Sequence, residues 1–225
     1  MVSACGGGGG GTSGGFNPSV FYENSVPDST ALNFTLNGNN AATSLAYNGV
    51  SAGFQTVNPN TYDISITENG QSESLWAVTD TLSSNSDYAV VALGQENFGS
   101  EYLKRAQLLV IPVDRTAPNG SKAQLYIVNG FEESAGVPTP AIDFTNPGQN
   151  PTFAATDIAP ANSASLLVNS GSQDFIVRQN GSQGNYVEKT LTLNPGGVYL
   201  IVVSGINGAT GPEAPEIEQI SLPTR

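Results

Sequence analysis

One stretch of this chain is written twice. Residues 58–94 read NPNTYDISITENGQSESLWAVTDTLSSNSDYAVVALG, and residues 169–205 read NSGSQDFIVRQNGSQGNYVEKTLTLNPGGVYLIVVSG. An ungapped shift of 111 residues pairs Asp63 with Asp174, Asn69-Gly70 with Asn180-Gly181, Leu82 with Leu193, Tyr88 with Tyr199 and Gly94 with Gly205. The same frame pairs Ile111-Pro112 with Leu222-Pro223. Turn and core positions that agree in one frame mark a duplication. A period near 100 residues is the size of a domain, not of a solenoid repeat.

The pattern inside each copy is that of strands. Tyr62, Ile64 and Ile66 alternate with Asp63, Ser65 and Thr67, which puts one apolar and one wet face on a strand. Phe175 and Val177 are the inward set of the second copy. Asn69-Gly70 supplies the positive-φ residues of a hairpin turn. Tyr88–Leu93 and Tyr199–Val203 are nearly all apolar and read as central strands. Residues 16–26, 31–36 and 45–57 supply the opening strands, 108–113 closes the first unit at an edge where Pro112 is tolerable, and 217–222 is the last strand. Amphipathic helix periodicity is absent. The expected fold is all-β: two tandem immunoglobulin-like antiparallel β-sandwiches after a disordered Gly-rich N-terminal tether. The expected divisions are 1–15, 16–117 and 118–225, each sandwich folding on its own.

The composition excludes several functions. The net charge of -12 argues against an electrostatic grip on nucleic acid or anionic lipid. Charged residues are only 12% of the chain, so the acidity reflects scarce Lys and Arg more than dense carboxylates. There is no histidine, which removes the commonest general base, the Ser-His-Asp triad and most zinc sites. The Asp-x-Asp-x-Asp-Gly spacing of calcium loops is absent, and Glu132-Glu133 and Glu213, Glu216 and Glu218 read as solvated acidic loops. No catalytic residue, metal or cofactor is expected, and the chain does not read as an enzyme.

Two resemblances refine this picture. Leu193-Asn194-Pro195-Gly196-Gly197-Val198-Tyr199 resembles the Leu-x-Pro-x-x-x-Tyr run of fibronectin type III domains, which implies a tyrosine hydroxyl tying a corner back to the backbone. The first unit keeps Leu82 and Tyr88, but Ser84 stands in the proline position. The stretches Ala46-Tyr47-Asn48-Gly49-Val50-Ser51-Ala52-Gly53-Phe54, Pro59-Asn60-Thr61-Tyr62-Asp63-Ile64-Ser65-Ile66 and 82–94 resemble the bacterial surface family known as domain of unknown function 4397. The likeness covers 18–113 and, more loosely, 122–223, where Asp157-Ile158-Ala159-Pro160-Ala161 replaces the Gly-x-Val-Ser stretch. It implies a secreted or lipid-anchored protein, often in tandem, and lends no catalytic residues.

The candidate functional residues lie outside the repeat's conserved frame or on its surface. Val2-Ser3-Ala4-Cys5 resembles the end of a bacterial lipoprotein signal, and Cys5 is the only cysteine. The basic and apolar parts of such a signal are missing, so the true start is expected upstream of Met1, or Met1 is artificial. Acylated Cys5 would anchor the chain to a membrane, with residues 6–15 as a flexible tether. Gly6 in place of aspartate resembles lipoproteins sorted to an outer membrane. Among the aromatics, Trp76, Phe98 and Tyr102 are the least core-like and are the candidates for stacking on a ligand. The expected function is a lipid-anchored protein of the cell envelope, outer membrane or cell surface with a binding, adhesive or structural role, its partner a surface protein or glycan. The alternatives are a carbohydrate- or calcium-binding module and a subunit of an extracellular fibre.

Overall fold

The computed structural model describes residues 15–96, 106–133, 140–148, 154–182 and 184–225. Seventeen strands and a single 3-10 turn at Gly211–Glu213 make up the regular structure of these residues. None of their helices is long and apolar enough to cross a membrane. The first unit holds β1 (Ser19–Asn24), β2 (Leu32–Leu36), β3 (Asn39–Leu45), β4 (Gly49–Val50), β5 (Gln55–Thr56), β6 (Asn60–Glu68), β7 (Ser74–Leu82), β8 (Asp87–Leu93) and β9 (Gln107–Val113). The second holds β10 (Lys122–Asn129), β11 (Ile142–Thr145), β12 (Ala154–Ile158), β13 (Asn162–Asn169), β14 (Gly171–Gln179), β15 (Asn185–Leu193), β16 (Val198–Ser204) and β17 (Glu216–Leu222). Shifting 60–68, 74–82 and 87–93 by 111 gives 171–179, 185–193 and 198–204, so the duplicated sequence produces strands with identical bounds.

Each unit is a two-sheet sandwich. In the first, β4-β1-β8-β9 faces β3-β2-β6-β7; in the second, β13-β10-β16-β17 faces β12-β11-β14-β15. Val20, Tyr22, Phe34, Ile64, Ile66 and Val90 are in the first core, and Leu125, Ile127, Phe144, Phe175, Val177 and Ile201 in the second. Pairing is antiparallel except β1 with β8 and β10 with β16, which run parallel and depart from the fully antiparallel expectation. The reason is topological. The long crossover between β1 and β8, which builds the opposite sheet and the β4 and β5 edge on its way, lets the chain re-enter in the same direction.

The tyrosine corner is present twice. The Tyr199 hydroxyl accepts from the Asn194 amide at 2.8 Å, and the Tyr88 hydroxyl accepts from the Ser83 amide at 3.0 Å. Outward polar pairs repeat as well: Thr79 donates to Asp63 at 2.8 Å and Thr190 to Asp174 at 2.6 Å.

The two sandwiches share a third apolar layer. Phe21, Ala89, Val91, Leu93, Ile111 and Val113 of the first unit pack against Tyr126, Val128, Val198, Leu200, Val202 and Ile220 of the second. This explains why every residue of β8 and of β16 is buried. Side chains alternate along a strand, so Tyr88, Val90 and Ala92 enter one core while Ala89, Val91 and Leu93 enter the middle layer. The molecule is thus four stacked sheets with three apolar layers between them.

Candidate functional site

The middle layer is closed at both ends by polar groups. At one end the run of inward residues begins with Ser19 on β1 and Asp87 on β8, which pair across the parallel ladder. Asp87 is 3% exposed and accepts from the Ser19 hydroxyl, from Arg115 Nε at 2.7 Å and from Arg225 Nη2 at 2.5 Å. Arg115 comes from the link between the units and also donates to the Pro223 carbonyl at 3.0 Å. The guanidinium of Arg115 lies 4.0 Å from the Phe54 ring centre, and that of Arg225 lies 3.4 Å from Phe16. A buried carboxylate with two guanidinium partners and a hydroxyl is well satisfied. Removing it would strand a nearly buried Arg115. A cleft of about 360 Å³ opens beside this clamp, lined by Asn85, Asp114, Thr116 and Tyr126.

At the other end the same strand contributes Glu23, a fully buried carboxyl. Across the seam lie Glu216 and Glu218 of β17, which share the face of Ile220 and Leu222. The first unit reaches over to them. Tyr47 donates its hydroxyl to Glu216 Oε1 at 2.7 Å, and Asn48 Nδ2 donates to the same oxygen at 2.6 Å. The Ser25 hydroxyl donates to Glu23 at 2.5 Å. Burial first, then the charge of Glu218, lifts the Glu23 carboxyl well above the usual carboxylate range. Burial, then the charge of Glu216, pushes Glu218 up to about 7, while the Lys189 ammonium draws it down. Both carboxyls that meet across the seam are thus shifted toward the protonated form. Burial also raises the Tyr47 phenol, so it stays a donor. A cleft of about 410 Å³ adjoins the pair, with Phe21, Val50 and Ile220 among its apolar walls and Asn48, Glu218 and Gln219 among its polar ones. Among the described residues no cluster of histidine, cysteine, aspartate or glutamate is placed to hold a metal ion.

These placements revise the reading of the acidic segments. Glu216 and Glu218 belong to a strand, not to a loop, because their strand pairs with β16 in seven successive registers. Glu132 and Glu133 are buried at 4% and 9% exposure, not solvated. Glu133 accepts from the Tyr186 hydroxyl at 3.1 Å and from Asn207 Nδ2 at 3.1 Å, and that phenol is pushed up to about 12 by burial and by the Glu133 charge. A further raised carboxyl, Glu96 at about 7, owes its shift to burial and to a hydrogen bond with Glu68.

Of the aromatic candidates, Trp76 is half-buried and packs against the first core. A bulge explains it. Ile66 pairs with Trp76 while Thr67 pairs with Ser74, so Leu75 is the extra residue and both it and Trp76 turn toward the core. Phe98, Tyr102 and Cys5 lie outside the described residues.

Fold and seam together define a class: a tandem β-sandwich protein whose two units are clamped into one block. Residues 19–137 match the family described as domain of unknown function 4397. The match takes in more than half of the chain, and the chain belongs to that family. It spans the first sandwich and runs through β10 of the second. No curated protein matches. Among solved structures, the Bacillus anthracis TIE protein is 10% identical over 93% of this chain and 44% of that one, with a TM-score of 0.27. The chain therefore spans less than half of that relative's length. A family 26 carbohydrate-binding module from Eubacterium rectale Amy13K, in complex with maltoheptaose, is 13% identical over 88% of this chain and 99% of that one, with a TM-score of 0.24. At such scores neither likeness carries an argument.

Proposed function

We infer that this is a lipid-anchored protein of the bacterial cell envelope whose tandem sandwiches form a stiff block with a binding, adhesive or structural role. The observation that carries the reading is the seam. An apolar layer with a buried ion-pair clamp at one end, and the Tyr47 and Asn48 hydrogen bonds to Glu216 at the other, holds one sandwich against the other. A flexible pair of domains is suited to closing on a substrate; a clamped pair is suited to presenting its surface as one stiff unit. The Gly-rich segment 6–15 after Cys5 supplies the tether, and two or three acyl chains on that cysteine anchor stably. The partner is a surface protein or glycan, and the role is not enzymatic.

The test is to express the gene with its full native signal beside a Cys5→Ser variant. Mass spectrometry of the N-terminal peptide should find a lipid on Cys5, and the variant should leave the membrane fraction. An unmodified Cys5, or a variant that still sediments with membranes, would replace this reading with a secreted or fibre-forming protein.

A further inference from the structure

The four sheets end in eight edges, and seven of them are guarded against pairing with another chain. The β4 and β5 edge is two short pieces separated by 51–54. Pro112 interrupts β9, and Glu216 and Glu218 charge β17. On β3, two register shifts and a positive φ at Ser44 distort the edge, and on β12 a positive φ at Asp157 does the same. The charges on β15 are Glu188 and Lys189, and β7 carries Asp80 and the bulge at Leu75. Such devices keep sheet edges from templating a foreign strand.

The eighth edge, β13, has none of them. It reads Asn-Ser-Ala-Ser-Leu-Leu-Val-Asn, without charge or proline, and pairs with β10 over eight successive residues without a shift. It carries Leu167 at 53% exposure, the most exposed large apolar side chain among the described residues. The direction of its free groups follows from the ladder. Gln124 donates its amide to Gly197 and Gly130 to Val203, while Gly196 donates to Lys122, so even-numbered residues of β10 bond toward β16. Odd-numbered ones bond toward β13, where their partners are Ala164, Leu166 and Val168. The backbone N–H and C=O groups of Ser165 and Leu167 therefore point away from the sheet. The Ser163 amide is occupied locally by Asn162 Oδ1 at 2.8 Å.

We propose that β13 pairs antiparallel with β13 of a second copy, about a two-fold axis at Leu166. That register sets Ser165 opposite the second copy's Leu167, and Leu167 opposite its Ser165. Both are outward-facing pairs, and each exchanges two backbone hydrogen bonds. The occupant is argued from self-complementarity. Each exposed Leu167 lies across the small Ser165 of the other copy and diagonal to the other Leu167, so the exposed leucines cover each other. A second identical strand also adds no charge to the seam of a chain whose net charge is -12. The contact is the same patch on both copies and closes as a dimer, joining two four-stranded sheets into one of eight strands.

Sedimentation equilibrium of the full chain in reducing buffer should give a dimer at micromolar concentration. Leu167→Lys places two ammonium groups diagonal to each other, and Ser165→Pro removes an outward donor. Each should weaken the dimer by about tenfold or more while the melting temperature of the monomer stays near that of the parent. In a Cys5→Ser background, a nitroxide on Ser163→Cys should report a distance between copies of about 20 Å, from six residues of strand rise in this register. A monomeric parent, a dimer indifferent to Leu167→Lys, or a label distance far from that value would overturn the proposal.

Discussion

Asn24 and Asn129 hold equivalent positions at the ends of β1 and β10, and each sews its own unit together. Asn129 Nδ2 donates to the Ile158 carbonyl at 2.9 Å and the Pro140 carbonyl at 3.2 Å, while its Oδ1 accepts from the Phe131 amide at 3.1 Å. Asn24 does the same with Leu45 at 2.9 Å and Val26 at 3.0 Å. Both are fully buried, so no water replaces the lost partners when the amide is removed. Asn129→Ala should cost about 2–3 kcal/mol, because it leaves several buried backbone groups unpaired. In a chain of this length that is roughly 5–10 °C in melting temperature. Asn129→Asp keeps the acceptor but loses both donations, and should not rescue. Calorimetry of the two variants decides it: a loss well below about 1 kcal/mol would mean that the latch is decorative. Sequence reading does not find these residues, because they align at an offset of 105 and not at 111. The second unit's longer early loop breaks the frame between them.

At the scale of elements, the docking of β17 on β1 is sensitive to protons. Glu23 and Glu218 face each other across the seam, with Glu216, Lys189, Tyr47 and Ser25 as the polar groups around them. Both carboxyls titrate above their ordinary values in the folded chain, so the folded state binds more protons than the unfolded one between the two values. Stability then falls as pH rises, and for Glu218 the fall runs from the ordinary carboxylate range up to about 7. The melting temperature should therefore be higher near pH 5.5 than near pH 7.5, by roughly 2–4 °C for about 1 kcal/mol. Glu218→Gln should flatten that slope. A slope of the opposite sign, or one unchanged in the variant, would contradict the assignment. How much of this was legible in the sequence depends on how local each feature is. Strands β6 to β8 and β14 to β16 were readable, since alternation and all-apolar runs are local signals. The pair β12 and β13 was not, since Ala154-Ala155-Thr156-Asp157-Ile158 and Asn162-Ser163-Ala164-Ser165 carry little apolar contrast. Trp76 reads as outward because a bulge is set by the partner strand. Glu23 was not singled out, because the groups that meet it, Glu216 and Glu218, lie almost the whole chain away.

For the molecule as a whole, the repeat arithmetic treats each sandwich as self-contained, and each does own a complete core. The middle layer adds a second requirement. A chain ending at residue 117 would leave Phe21, Ala89, Val91, Leu93, Ile111 and Val113 facing water, and the remainder would expose Tyr126, Val128, Val198, Leu200, Val202 and Ile220. Contiguous apolar surface of that kind drives association. It also leaves Asp87 without Arg225, and Arg115 without the Pro223 carbonyl, since both partners lie in the removed half. Each half expressed alone should keep β-rich circular dichroism, because its own core remains, yet bind a hydrophobic dye and self-associate. Mixing the two halves should restore a soluble one-to-one complex, and the intact chain should melt in a single transition. Two monomeric, dye-free halves that ignore each other, with two separate transitions in the intact chain, would show that the middle layer contributes little. In that case the stiffness on which the presenting role rests would have to come from somewhere other than the seam.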